Sequence, residues 1–324
     1  MPRYALVFGN GLGMAMDDQY FSLGSGLKSV WNGSENFGPE QKRLMVSAIN
    51  GLSVNDFPKS EEQLDQLQVA IVASEFLRNF ESDEVKWLSD MSRGFPEAFR
   101  RFVHEVASYF HDSGKMLPDA FVMPLSAFIK ETKSHVAVLN YDNLLYDAFN
   151  NTDVLSGYRG ALIDGFLRAG FDKENLDRYN PKKLGWYLHL HGSPLFIGNR
   201  KLMGDERLFL RPDEKSHIVL THVEHKPLVI ASSLILSEYW SRLPKALKEA
   251  DKIIIFGYSG CDTHLNEIVT TSCPDKDIYI IEWEGSGDID ERSNYWSDRL
   301  SGCRNIQIRH IGNLLDFNDW FNLE

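Results

Sequence analysis

The chain has 324 residues, enough for one large domain or two smaller ones, and its apolar and charged fractions of 43% and 25% are ordinary for a globular protein. The net charge of -12 argues against a free-standing nucleic-acid binder, because phosphate-backbone binding needs clustered Lys and Arg, although backbone amides can still hold a small anionic ligand. Cys261, Cys273 and Cys303 include no CxxC pair, so neither a metal site nor a disulfide framework is expected, and without a signal peptide or membrane-spanning run the expected location is a reducing cytoplasm.

The first predicted element is a buried strand at the start of the chain. Tyr4–Phe8 (YALVF) is a dense apolar run that ends in Gly-Asn-Gly-Leu-Gly. This pattern predicts a strand followed by a glycine loop.

A helical insertion is predicted at residues 39–115, within a main domain formed by residues 1–38 and 116–324. Ser60 with Gln63 three residues later is a capping box, and it precedes a run of helical periodicity. A second helical stripe is made by apolar residues at i, i+3, i+4 and i+7 spacing, namely Phe99, Phe102, Val103, Val106 and Phe110.

From Pro118 onward, helical and strand patterns alternate. The predicted strands are HVAVLN, WYLHLHG, DKIIIFG, DIYIIEW and NIQIRHI, separated by helical segments, and the chain ends with the amphipathic segment LLDFNDWFNL. Such alternation predicts an α/β fold with a Rossmann-like parallel sheet and helices on both faces. Ligands of such sheets bind beyond the carboxyl ends of the strands, where this chain repeatedly places glycines and polar residues.

The glycine loop and the Asn-Tyr-Asp-Asn segment each allow two interpretations. Gly9, Gly11 and Gly13 form either a tight strand–helix turn or a phosphate-binding loop. Asn and Asp are also common helix caps, but a cap needs only one residue. Asn143 suffices for that role, which leaves Asn140 and Asp142 as candidates for catalysis.

The later strand ends supply the remaining candidates. His191, at the end of its strand, is a candidate general base, whereas His189 two residues earlier is expected to be buried. The loop with Gly257, Ser259 and Asp262 is either a capped turn or a phosphate site. Glu282 is either a solvated strand end or the acid that accepts hydrogen bonds from ribose hydroxyls.

The order of these motifs resembles that of the Sir2 (sirtuin) superfamily, and its bacterial SIR2-like branch more closely than the protein deacetylases. FGNGLG stands where sirtuins have GAG-type loops, Asn140-Tyr141-Asp142 looks like the NID motif, His191-Gly192-Ser193 looks like the catalytic histidine motif, and GYS with Asp262 matches the SIR2-like form of the GTS loop. The zinc-binding CxxC pairs of deacetylases are absent, and Glu282 stands where deacetylases usually have Asn.

The resemblance implies a substrate and a role for each motif. The substrate is NAD+, with its pyrophosphate held around Gly9, Asn10, Gly11 and Gly13 and by the loop with Gly257, Ser259 and Asp262. Asn140 would position the nicotinamide ribose and the attacking water, Asp142 would bind the carboxamide, and His191 would be the base acting on the ribose hydroxyls. These roles suit cleavage of the N-glycosidic bond through an oxocarbenium-like transition state.

The function expected from the resemblance is an NAD+ hydrolase that depletes NAD+ in bacterial anti-phage defence. Control by homo-oligomerisation or by a regulatory partner, such as a HerA-type ATPase or an Argonaute-like subunit, is expected by analogy because an unregulated NADase is toxic. Two alternatives stay open: an NAD-dependent deacylase or ADP-ribosyltransferase, and a non-catalytic module that binds NAD or ADP-ribose.

Overall fold

The computed structural model describes residues 1–35, 38–53, 55–78, 94–111, 113–202, 216–221 and 225–323. The helices in these ranges are α1 (Gly11–Met16), α2 (Asp18–Phe21), α3 (Leu23–Gly33), α4 (Pro39–Ala48), α5 (Glu61–Arg78), α6 (Gly94–His111), α7 (Asp119–Thr132), α8 (Leu144–Asn151), α9 (Lys226–Ala231), α10 (Leu234–Glu249), α11 (Thr263–Ser272) and α12 (Ile289–Arg299). The strands are β1 (Tyr4–Phe8), β2 (His135–Val138), β3 (Leu162–Ile163), β4 (Phe166–Leu167), β5 (Gly170–Phe171), β6 (Gly185–His189), β7 (Gly192–Ile197), β8 (Arg200–Lys201), β9 (Ser216–Ile218), β10 (Lys252–Phe256), β11 (Asp277–Trp283) and β12 (Asn305–Ile311).

A parallel sheet of seven strands forms the centre of the described fold, in the order β12-β11-β10-β1-β2-β6-β3. Its inner strands β1, β2 and β10 are covered on both faces, and all five residues of β1 are buried, whereas residues of the edge strand β12 are half-buried or exposed. Within the sheet, Val7 lies beside Ile255 on one side and Ala137 on the other. The predicted Rossmann-like α/β fold is therefore confirmed.

The strand order changes direction at β1, and this position fixes where a ligand can bind. The chain goes from β1 to β2 on one side, and the later strands β10, β11 and β12 add on the other side. The loops that leave β1 and its neighbours therefore diverge, which opens a crevice at the carboxyl ends of the strands.

The described helices of the predicted insertion are α4, α5 and α6, with turns and irregular segments at 49–53, 55–60 and 113–115, while residues 54, 79–93 and 112 lie outside the described residues. Helix α6 packs on α3 and on the small antiparallel sheet of β8, β7 and β9, and the apolar stripe of α6 is buried. The predicted capping box differs by one residue, because Gln63 Oε1 accepts from the backbone N–H of Lys59 at 2.7 Å rather than from that of Ser60. The boundaries 39 and 115 stay a prediction.

The last described segment of the chain packs its aromatic residues against the hydrophobic core. LLDFNDWFNL forms a short 3-10 turn, Leu314–Asp316, after which Phe317 and Trp320 are buried against Phe256. Among the helices described, none is both long and apolar enough to cross a membrane.

Candidate active site

A cavity of about 840 Å³ opens at the carboxyl ends of β11, β10, β1, β2 and β6. This volume is in the range of small-molecule and cofactor sites. Gly13 does not line the cavity; it lies behind the loop, where an added Cβ would be 3.0 Å from the Phe21 ring. The other sequence-predicted site residues all line it, namely Gly9, Asn10, Gly11, Asn140, Asp142, His191, Gly257, Ser259, Asp262 and Glu282.

The glycine loop is packed directly against the loop that follows β10. The Gly9 N–H donates to Phe256 O at 3.0 Å, and the Gly11 N–H donates to Gly257 O at 2.7 Å. An added Cβ on Gly11 would lie 2.6 Å from Gly257 O, so only glycine permits this approach. These two amides therefore hold the two loops together and are not free for a phosphate, while the exposed Ser259 hydroxyl stays at the cavity wall.

Asn140 is a buried amide without hydrogen bonds of normal geometry. It follows β2, is 3% exposed, and neither its Oδ1 nor its Nδ2 has such a partner among the described residues. Its amide lies close enough to the Asp142 carboxyl to lower the pKa of that group, without forming a well-directed hydrogen bond. Because native proteins rarely leave both halves of a buried amide unpaired, this side chain is a strong candidate for ligand contact.

Asp142 is both a turn residue and a cavity-lining acid. Its Oδ1 accepts from the Leu144 N–H at 3.0 Å, so the side chain that caps the start of α8 is that of Asp142. The expected cap, Asn143, makes no such hydrogen bond. The Asn143 amide instead donates to Asp147 Oδ2 at 2.6 Å. Burial raises the pKa of Asp142 to about 6, against the opposing effects of the Leu144 amide and the nearby Asn140 amide.

His191 is paired with Asp262, which reaches it from the start of α11. The distance from His191 Nε2 to Asp262 Oδ2 is 3.1 Å. Since a carboxylate only accepts, Nε2 carries the proton and Nδ1 is the ring nitrogen available as a base. Asp262 Oδ1 accepts from the Leu265 N–H at 3.1 Å. Burial alone raises the pKa of Asp262, but the His191 hydrogen bond and the charges of His191 and Lys226 hold it well below its usual range.

His189 is buried, as expected, and does not line the cavity. Residues two apart in a strand face the same side, but β6 ends at His189, so this rule does not place the side chains of His189 and His191 on one face. The His189 ring is packed among Tyr146, Tyr187 and Phe196, and neither of its nitrogens has a hydrogen-bond partner in the described residues. Burial lowers the pKa of His189 to about 3, so the ring is neutral.

Glu282 lines the far end of the cavity, but its carboxylate is already fully bonded. Arg292 donates to both oxygens, at 2.9 and 2.7 Å, while Trp296 Nε1 lies 3.1 Å from Oε2 and His310 Nε2 lies 3.2 Å from Oε1. Burial tends to raise the pKa of Glu282, but the bonds from Arg292, Trp296 and His310 lower it overall. A ribose hydroxyl bonding here would have to replace one of these donors, so the ribose role of Glu282 stays a prediction.

Several cavity-lining residues have no signal in the sequence. Lys226 is 3% exposed, and its Nζ lies 3.1 Å from Asp262 Oδ2 and 3.6 Å from Glu61 Oε2 in α5. Arg292 binds Glu282 from a helix that reads as an ordinary polar surface helix. Trp283, 56% exposed at the rim, is the exception, because an aromatic residue at the end of a strand could have marked it. Among the described side chains, no group of three or more His, Cys, Asp or Glu is arranged to hold a metal ion.

The two ends of the cavity carry different chemical groups. At the ends of β2 and β6, an unpaired amide, a carboxyl with a raised pKa and an Asp-paired histidine face one space. These groups can orient a polar ligand, stabilise charge and accept a proton. At the end of β11, an arginine and an exposed indole ring provide a second contact region.

Comparison with known proteins identifies the family. The family described as SIR2-like domain matches residues 134–299, which is just over half of the chain and contains every candidate residue except those of the glycine loop. The chain matches no curated protein. A SIR2-like domain implies NAD binding and places the chain with NAD-dependent enzymes. The chain belongs to the SIR2-like family.

Proposed function

We propose that this chain hydrolyses NAD+ at the nicotinamide N-glycosidic bond, giving nicotinamide and ADP-ribose. The observation that carries the proposal is the Asn140 amide, which is buried at the cavity wall with neither half well hydrogen-bonded. Leaving a buried donor or acceptor unpaired costs about 1–3 kcal/mol, so the protein maintains this group at a cost to stability. A ligand that completes the hydrogen bonds of Asn140 recovers that cost.

The cavity has the length that a two-ended ligand requires. It extends over the ends of five neighbouring strands, from β11 to β6, which is about 19 Å at the usual spacing between strands. The nicotinamide end of NAD+ fits the region of Asn140, Asp142 and His191. The adenosine end then lies near Trp283 and Arg292, where an exposed indole and a guanidinium offer flat surfaces to a purine.

Each residue at the nicotinamide end has a distinct task. NAD+ itself supplies a cationic leaving group, so no strong general acid is needed. The Asn140 carbonyl orients the ribose and the attacking water and stabilises positive charge that develops at the anomeric carbon. Asp142, which is ionised above about pH 6, accepts a hydrogen bond from the carboxamide N–H. His191, which is held through Nε2 by Asp262, accepts a proton from a ribose hydroxyl at Nδ1.

The test is an assay of nicotinamide and ADP-ribose release from NAD+ in water, with no peptide present. Asn140→Ala and His191→Ala are expected to lower kcat/KM at least about 100-fold. Asn143→Ala is the matched control: Asn143 is three residues away, its amide is bound to Asp147, and it does not line the cavity. It should retain nearly full activity.

The same assay separates the rival functions. Release of nicotinamide that requires an acylated peptide or a protein acceptor identifies a transferase. NAD+ binding that is unaffected by Asn140→Ala, without turnover in any mixture, identifies a binding module. Activity that survives both Asn140→Ala and His191→Ala refutes this site.

We further propose that the protein is an NAD-depleting effector of bacterial anti-phage defence, controlled by homo-oligomerisation or by a partner. The support is the resemblance to SIR2-like NAD hydrolases and the toxicity of an unregulated NADase. Light scattering after size exclusion measures the oligomer. Assays with and without a HerA-type ATPase or an Argonaute-like subunit measure control by a partner, and full activity of an isolated monomer would contradict the proposal.

A further inference from the structure

Lys226 is a buried cation in the wall of the candidate active site. It begins α9 and is 3% exposed, although lysine is almost never fully buried unless it is paired. Its Nζ lies 3.1 Å from Asp262 Oδ2 and 3.6 Å from Glu61 Oε2. A buried ion pair is weak evidence for stability, because taking both charges out of water offsets most of their attraction. The position of this pair therefore calls for another explanation.

The Asp262 carboxylate connects Lys226 to His191. Oδ2 accepts from both His191 Nε2 and Lys226 Nζ, each at 3.1 Å, while Oδ1 accepts from the Leu265 amide. Three donors from separate parts of the chain thus fix the plane of the carboxylate. Because the carboxylate fixes the tautomer and orientation of the His191 ring, Lys226 acts on that ring without touching it.

We propose that Lys226 is a positioning residue for His191. Lys226 holds the Asp262 carboxylate in place and, through its positive charge, lowers the proton affinity of the His191 imidazole, while the negative charge of Glu61 in the insertion weakens this effect. Only the kinetic consequence rests on the proposed function. The geometry gives the charges alternating signs, from Glu61 through Lys226 and Asp262 to an imidazolium at His191. Removal of Lys226 leaves a buried carboxylate whose nearest cation is His191, and this favours the protonated ring.

The groups around His191 come from every element packed near it. Asp262, Lys226 and Glu61 are described above. In addition, the centre of the Tyr141 ring lies 6.1 Å from the centre of the His191 ring. Burial, with Glu61 and Asp262 nearby, raises the pKa of Tyr141 well above its ordinary value, so Tyr141 stays neutral. The Tyr258 hydroxyl bonds to the Asp262 backbone, His225 binds Asp65 at 2.8 Å, and Asp142 and Glu62 line the same cavity.

The direct test is an NMR titration of the His191 imidazole, assigned by the signal lost in His191→Gln. In Lys226→Met we expect the midpoint to rise by about one pH unit, because an opposing cation is removed. Lys226→Arg keeps the charge and should restore most of the wild-type midpoint. Glu61→Gln should move it the other way, downward by about 0.3 pH units, because Lys226 then faces Asp262 alone.

The kinetic test uses the pH profile of nicotinamide release. The acidic limb of kcat should move with the NMR midpoint, so that Lys226→Met loses up to about 10-fold of kcat at the acidic end of the profile, with KM nearly unchanged, and recovers at alkaline pH. A merely structural role would lower activity equally at all pH values.

Clear results overturn the inference. It fails if the Lys226→Met midpoint stays within about 0.2 pH units of wild type, or if Glu61→Gln moves it in the same direction as Lys226→Met. If Lys226→Met does not fold, Glu61→Gln still decides: an unchanged His191 midpoint in Glu61→Gln, with any loss of activity equal at every pH, refutes the proposal. If the midpoints move as expected but neither wild type nor any variant releases nicotinamide, alone or with the candidate partners, the positioning role stands and the hydrolase proposal fails.

Discussion

Arg292 binds Glu282 through two hydrogen bonds, from Nε to Oε1 at 2.9 Å and from Nη2 to Oε2 at 2.7 Å. Trp296 and His310 complete the four bonds that the carboxylate accepts. The acid at the end of β11 is therefore the centre of a buried polar cluster that holds α12 and β12 against the cavity wall. Such a cluster is costly to disturb, because removal of one member leaves the others unpaired.

Glu282→Gln should cost stability more than ligand affinity. The amide removes the negative charge and turns an N–H toward Arg292 or Trp296, so we expect a loss of about 3 kcal/mol and a fall in Tm of about 5 °C. The KM for NAD+, measured well below the new Tm, should change less than about threefold. Glu284→Gln, at an exposed position two residues on, is the control and should leave Tm unchanged. A large rise in KM with unaltered Tm would instead support direct binding of a ribose hydroxyl.

Gly11→Ala should separate the two loops that Gly11 joins. Its Cβ would lie 2.6 Å from Gly257 O and 2.7 Å from Gly257 Cα, both backbone atoms that cannot move aside cheaply. We expect a loss of about 1–3 kcal/mol and at least about tenfold weaker NAD+ binding by calorimetry.

Gly24→Ala is the matched control for this substitution. Gly24 is in α3, and an added Cβ there meets nothing within 4 Å. Alanine should therefore stabilise the protein by about 0.5–1 kcal/mol and leave binding unchanged. Equal effects of the two substitutions would show that the close approach of the loops is not important.

The sequence predicted the sheet and the cavity-lining residues at the ends of its strands, because both depend on local patterns. Continuous apolar runs such as Tyr4–Phe8 mark strands buried on both faces, and the residues that follow them meet at one edge of the sheet. The ion pair between Lys226 and Asp262 could not be predicted. Lys226 and Asp262 are 36 residues apart, and nothing local distinguishes a lysine that will be buried from one on the surface.

Which of two neighbouring residues caps α8 also could not be predicted from the sequence. Asn143 stands at the position before α8, yet Asp142 makes the bond to the Leu144 amide, because the side chain of Asn143 is turned toward Asp147. Both choices satisfy the same capping preference, so the sequence does not distinguish them.

His189→Phe should reduce the sensitivity of the protein to mild acid. The folded state keeps His189 neutral, with a pKa of about 3, whereas the ordinary value is 6.5. Between these values the unfolded chain binds a proton that the folded chain does not, so stability falls as pH decreases below 6.5. From pH 7 to pH 5 this contributes about 2 kcal/mol of destabilisation.

Thermal or urea unfolding at pH 7 and pH 5 provides the measurement. Phenylalanine keeps the ring contacts with Tyr146, Tyr187 and Phe196 and removes two unpaired nitrogens, so it should not destabilise at pH 7. His135, whose pKa burial lowers to about 4, is present in both proteins, so the difference between them isolates His189. Identical pH slopes in the two proteins would contradict the assignment.

Asp142→Asn should make the protein more stable and less active. Because burial raises the folded pKa of Asp142 from 3.8 to about 6, the folded state holds this proton more tightly than the unfolded chain. The resulting stability is complete below pH 3.8 and is lost as pH rises through about 6. At pH 8 wild type has lost this contribution, whereas asparagine never ionises and its carbonyl can still accept from the Leu144 amide. We expect Asp142→Asn to be about 2–3 kcal/mol more stable than wild type at pH 8 and nearly equal to it at pH 4.

Activity should move in the opposite direction, since the ionised carboxyl is the form proposed to bind the carboxamide. Deprotonation of His191 and of Asp142 should both contribute to the acidic limb of wild-type kcat/KM, and in Asp142→Asn the contribution at about pH 6 from Asp142 should disappear together with at least about tenfold of the activity. Unfolding curves and initial rates at the same pH values test both halves. A variant that is less stable than wild type at pH 8, or one whose acidic limb is as steep as that of wild type, would show that the buried Asp142 carboxyl is not the group whose ionisation costs stability and supports activity.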